Sequence, residues 1–243
     1  MRLTRVHVPG PLTAGRRHTI DGDAANHIAR VLRLRQGDPL TLFDGRGGEY
    51  AARVEELHKG AVIVSIAEQS PVARESSLPI TLAQGVSRGE RMDWVVQKAT
   101  ELGVTRIIPV LTERSVVKLD AKHAERKRLH WQAIAVAACE QSGRDRIPAV
   151  DAPLTLAELL GMADSRATQV LLSPMGSLRV ADLPRAERGI VVLIGPEGGL
   201  AEAEQQAALA AGFAAVRLGP RVLRTETAAV AALTLLQYHF GDL

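Results

Sequence analysis

The chain changes rhythm once, and that change constrains the fold more than any single residue. Through about residue 70 short apolar stretches alternate with glycine-bearing turns, which predicts strands at 16–20, 39–43, 49–55 and 61–67, with turns at 44–48 and at Lys59-Gly60. One helix interrupts them behind Asp23, with Ile28, Val31 and Leu32 on one side and its arginines toward solvent. Short strands closed by tight turns predict a small β-barrel over residues 1–70. Residues 71–78 are polar and contain Pro71, as an interdomain linker would. Beyond them strands at 80–83, 106–110, 169–172, 189–194 and 215–218 alternate with helices at 88–102, 121–141, 155–160, 202–211 and 225–240. That alternation predicts an α/β domain over 79–243, its mainly parallel sheet covered on both faces.

Composition excludes several classes. Hydrophobic residues at 46% and charged residues at 23% are ordinary for a globular chain and argue against disorder. The longest apolar runs, such as residues 190–194, fall far short of the roughly 20 residues a membrane helix needs. Without an apolar signal core at the N-terminus, the expectation is a cytoplasmic protein. A single cysteine, Cys139, excludes an internal disulfide and a cysteine metal cluster, and its apolar surroundings in 134–139 predict a core thiol rather than a nucleophile. The seven histidines show no paired spacing, so no metal is expected.

Charge is unevenly spread. Residues 1–75 carry 11 Lys/Arg against 9 Asp/Glu, residues 76–150 carry 12 against 8, and residues 151–243 carry 7 against 10. Arg30, Arg33 and Arg35 cluster in the first segment, and residues 122–128 form a second basic group. Either suits a polyanionic partner or a solvated face.

Ligands of open α/β sheets bind beyond the carboxyl ends of the strands. Three such loops have unusual composition: Ser173-Pro174-Met175-Gly176, Gly195-Pro196-Glu197-Gly198-Gly199, and the run from Gly219 through Pro220, Arg221, Val222, Leu223, Arg224, Thr225 and Glu226 to Thr227. The second leads straight into a helix, where glycines admit a ligand to the backbone and free N–H groups point outward. It suits a nucleotide-like molecule, though a plain strand-to-helix turn reads the same way. Neither the dinucleotide fingerprint nor a phosphate loop is present.

Together the segments beginning Ile194-Gly195-Pro196-Glu197-Gly198-Gly199 and Leu218-Gly219-Pro220, the latter ending Thr227-Ala228, resemble the cofactor motifs of SPOUT methyltransferases, which contain a deep trefoil knot. The chain most resembles the RsmE family of 16S ribosomal RNA uracil-N3 methyltransferases. Residues 33–38, 98–104, 112–115 and 140–144 support this in order. The loop at 173–176 departs from the pattern, since a His-Glu-like pair is expected there.

The resemblance implies an N-terminal PUA-like barrel and S-adenosylmethionine held by Leu172, Ser173, Pro174, Ile194, the loop at 195–199, Leu218, Gly219, Leu223, Arg224, Thr225, Glu226, Thr227 and Ala228, with Leu218 and Leu223 enclosing the adenine. It implies RNA gripped through Arg5, Arg30, Arg33 and Arg35, and a homodimer acting on the small ribosomal subunit. Methylating N3 requires loss of its proton, for which Glu140, Arg144 and Glu226 are the candidates, the glutamates as base or orienter and the arginine as electrostatic partner. A ribose 2′-O-methyltransferase and a non-catalytic assembly factor are the competing expectations.

Overall fold

In the computed structural model, which describes residues 4–71, 74–115, 120–162, 164–185 and 187–243, the chain forms two compact units. The first runs to Glu75 and also takes Cys139–Ile147; the second comprises Ser76–Ala138 and Pro148–Leu243. Part of the expected linker, residues 72 and 73, lies outside the described residues. Arg74 and Glu75 behave otherwise than a free linker, because both are tied by ion pairs within the first unit.

The first unit contains β1 (Arg5–His7), β2 (Arg17–Asp21), α1 (Gly22–Asn26), β3 (Pro39–Phe43), β4 (Glu49–His58) and β5 (Ala61–Ser70). The strands form one sheet in the order β1-β3-β4-β5-β2, antiparallel except for the β1/β3 pair. The strands expected to form the barrel thus make one five-stranded sheet whose path begins at β1 and ends at β2. β1, too short to show periodicity in sequence, is the strand the alternation missed. Period-2 patterning explains the rest: Val54, Val62, Val64 and Ile66 face the core, while Arg53 and Ala51 face out.

After α1 the chain continues as a π-helix over His27–Val31. Its wider turn, visible in the bond from Leu32 N–H to His27 O, breaks the 3.6-residue period. Val31, expected beside Ile28 on the buried side, is therefore rotated out and 67% exposed. The helix closes with Arg33 in the left-handed region at φ 53°, and Leu34 returns to donate to Ile28 O and pack on the core.

The second unit contains β6 (Ile80–Gly85), α2 (Arg91–Glu101), β7 (Arg106–Leu111), most of α3 (Ala121–Ser142), β8 (Ala149–Val150), β9 (Leu154–Thr155), α4 (Leu156–Gly161), β10 (Thr168–Leu172), β11 (Ile190–Ile194), α5 (Glu202–Ala210), β12 (Ala214–Val216) and α6 (Thr225–Phe240). Its parallel sheet runs β12-β10-β11-β6-β7-β8, with β9 also on β7. Successive residues of each strand enter different cores. Leu82, Ile107, Val170 and Val192 pack with Val95 and Val96 of α2, Trp131 of α3 and Leu233 of α6; Ala83, Ile108, Leu171 and Leu193 pack with Leu159 of α4 and Ala208 of α5. Burial on both faces is why these strands read as continuous apolar runs. Gly103 and Gly143, both at positive φ, end α2 and α3 where the sequence places the stops. Thr155 and Glu158 cap α4 reciprocally. No helix among the described residues is long and apolar enough to cross a membrane.

Candidate active site

Because β12, β10 and β11 are neighbours, the loops leaving their carboxyl ends converge. They enclose a cleft of about 660 Å3 within the second unit. Every residue expected to hold a cofactor lines it except Thr227, which faces away on α6 and is exposed. Close approach makes the convergence possible. A Cβ on Gly85, at the end of β6, would lie 2.5 Å from the Pro196 ring, and one on Gly176 would lie 2.7 Å from the Val216 carbonyl carbon, so only glycine fits at either contact.

Hydrogen bonds fix the loops to each other. Thr225 Oγ1 donates to Gly195 O at 2.7 Å and accepts from the buried Gln84 amide at 2.9 Å. Arg114 Nη1 donates to Gly198 O at 3.0 Å. Glu197 accepts from the Arg88 N–H at 2.9 Å and from Arg91 Nη1 at 2.7 Å. Burial by itself would raise the Glu197 pKa, but these donors and its own backbone N–H outweigh burial and hold the carboxyl below its usual range.

Glu226, in the first turn of α6, lines the cleft with its Oε1 4.0 Å from Arg91 Nε. Its Oε2 is buried and meets no donor among the described residues. A buried carboxylate oxygen without a partner is costly unless a ligand supplies the bond. Arg91, Gln205 and Arg217 also line the cleft and were not named from the sequence, while Arg114 and Arg221 were named only as members of residues 112–115 and of the third loop. Nothing in the spacing of the four arginines separates them from solvated ones.

Glu140 and Arg144 belong to the first unit and are engaged there. Glu140 accepts the His7 N–H at 3.0 Å. The Arg144 side chain, 5% exposed, donates to Glu75 through Nε at 3.1 and 3.2 Å and through Nη2 at 2.6 Å. Arg5, expected to face RNA, is instead buried: its side chain is 9% exposed, pairs with Glu49, donates to Arg144 O at 2.8 Å and lies over the Phe43 ring at 4.8 Å. Arg30, Arg33 and Arg35 are exposed. Cys139 is fully buried, and burial first of all pushes its thiol up to about 12, which removes the thiolate a nucleophile needs.

Comparison with known proteins agrees with this geometry. A family described as an RNA methyltransferase domain matches residues 74–237, and one described as an RNA methyltransferase PUA domain matches residues 20–67. The ribosomal RNA small subunit methyltransferase E of Bacillus subtilis is 34% identical over 90% of this chain and 89% of its own length. Its counterpart in Buchnera aphidicola (subsp. Schizaphis graminum) is 31% identical over 100% and 98%. The crystal structure of a ribosomal RNA small subunit methyltransferase E from Neisseria gonorrhoeae bound to S-adenosyl methionine matches with a TM-score of 0.94 and 39% identity, covering 100% of both chains. With the cleft formed at the same three strand ends that the motifs indicate, the chain belongs to the family of ribosomal RNA small subunit methyltransferases E.

Proposed function

We propose that the chain methylates small-subunit ribosomal RNA with S-adenosylmethionine, and that N3 of a uridine in 16S rRNA is the acceptor, as the family resemblance implies. The observation that carries this reading is the cleft itself, whose size and convergent backbone groups fit a nucleoside of this kind. The buried, donorless Oε2 of Glu226 fits too, since both the cofactor's ammonium and the N3–H of uracil are donors. When bound, the cofactor supplies an electrophilic methyl group on its sulfonium.

The chain's own residues then have separable tasks. Leu218 and Leu223 enclose the adenine, and the backbone around Gly195–Gly199 meets the ribose and methionine portions. Holding the two reactants in line supplies much of the acceleration, on the order of 7–11 kcal/mol for a well-positioned bimolecular step. Glu226 takes the N3 proton through Oε2 while Arg91 orients its other oxygen. We assign Glu140 and Arg144 to the integrity of the first unit, because their donors and acceptors are already paired there. Arg30, Arg33 and Arg35 contact RNA phosphates. N3 lies on the Watson–Crick edge, so the target base is met unpaired or extruded.

We also infer the trefoil knot, as the family resemblance implies, at the converging ends of β10, β11 and β12. A homodimer in the cytoplasm completes the reading. Ala229, Ala232 and Leu233 of α6 are spent on the chain's own core, which leaves the exposed Trp94, Leu235 and Tyr238 for a partner copy. Mass spectrometry of ribosomal RNA nucleosides tests the function: cells lacking the protein lose 3-methyluridine from small-subunit RNA, and its persistence at the normal level overturns the assignment.

A further inference from the structure

Residues 151–243 carry a net negative formal charge, 7 Lys/Arg against 10 Asp/Glu, yet three of those seven cations fall within eight residues of one loop: Arg217, Arg221 and Arg224. All three line the cleft and are exposed. None forms an ion pair with another described residue, whereas Arg166 and Arg179 nearby in the chain are closed by Asp164 and Asp182, and Arg91 at the cleft by Glu197. Val222, between two of them, is 81% exposed, and Met175 on the facing loop is 89% exposed.

A cofactor alone does not call for this arrangement. S-adenosylmethionine is net cationic and has no phosphate, so three unpaired guanidiniums beside it raise the electrostatic cost of binding. A polyanion gains from them. We propose that the loop at 217–224 is a second RNA-binding element, in which Arg217 and Arg221, with Arg224 beside them, clamp the phosphates flanking the extruded nucleotide while Val222 and Met175 cover its base. The inference rests on the methyltransferase reading above and adds to it that the cleft's own rim grips the acceptor strand, independently of Arg30, Arg33 and Arg35. Guanidiniums suit this role because their fork matches phosphate oxygens and they are weakly hydrated.

The test uses the full chain with small-subunit ribosomal RNA. In R217Q/R221Q the slope of log affinity against log salt becomes shallower by about 1.4, from about 0.7 per single-strand phosphate contact, and binding weakens roughly twentyfold at 0.1 M salt. KM for RNA rises while calorimetric affinity for S-adenosylmethionine stays at the wild-type value, which also reports a folded cleft. R217K/R221K restores most of the slope, as a point charge would. An unchanged slope and KM in the glutamine variant overturn the rim assignment alone. So does weakened cofactor affinity with an unchanged slope, which would place the arginines on the cofactor's carboxylate. A wild-type protein that binds cofactor but transfers no methyl group to this RNA overturns the proposed function, and the rim assignment with it.

Discussion

In the first unit the Arg144 guanidinium is almost wholly buried and closed by Glu75, while in the second, among the described residues, Arg217, Arg221 and Arg224 stand open and Glu226 keeps an oxygen without a donor. Both regions are rich in arginine and glutamate, and the difference between them is completion. A buried pair can persist only when its partners are present within the fold, because desolvation of an unmatched charge is costly. Charges left open around a cleft are affordable in water and become strong only when a ligand excludes that water. Pairing within the first unit therefore marks Arg144 and Glu75 as residues that hold structure, whereas Arg217, Arg221 and Arg224 are left available to a ligand.

That contrast can be broken at either end. The largest effect is expected from Glu226→Gln, which keeps the shape and removes the base: kcat falls by about 10^3, roughly 4 kcal/mol of barrier, with the melting curve unchanged. Single-turnover methyl transfer measures it, and a kcat within threefold of wild type would return the base to another residue. Arg144→Ala should do the reverse. Leaving Glu75 half-buried without its partner costs about 3 kcal/mol of stability, read by urea denaturation, while cofactor affinity is unaffected.

A smaller effect sharpens the case for Cys139. Its thiol ionises near its ordinary value of 9.0 when unfolded and at about 12 when folded, so the proton is held more tightly in the native state. Stability from this group is complete well below pH 9 and is lost as the pH rises toward 12, by about 1.4 kcal/mol at pH 10. Cys139→Ala should flatten that alkaline decline, and native protein at pH 8 should resist alkylation. The smallest change is expected at Arg33. Glycine there relieves the left-handed strain but adds unfolded-state entropy, for a net gain of about 0.5 kcal/mol in chemical denaturation, together with a weaker salt dependence of RNA binding.

The elements that were legible in the sequence are those whose signal is local. The helix stops at Gly103 and Gly143 and the α6 start at Thr225 were read from single residues and their neighbours. Alternation over β4 and β5 is a property of adjacent positions, and so is the apolar run of β11. The π-helical turn was not legible, because it changes the period on which the reading of Val31 depends. Nor was the fate of Arg5, whose three-residue strand is paired with β3 more than thirty positions away.

By itself the sequence determined an α/β sheet buried on both faces and three glycine-bearing loops at strand ends, since each follows from period, propensity and turn chemistry over a few residues, but not that Cys139–Ile147 joins the first unit. Only the tertiary structure decided that β12, β10 and β11 are neighbours, that their loops share one cleft, and which arginines are spent in ion pairs and which stay open. The physical reason is that strand order and charge pairing join residues far apart in the chain, such as Arg144 with Glu75 or Gly85 with Pro196, and no local period carries that information.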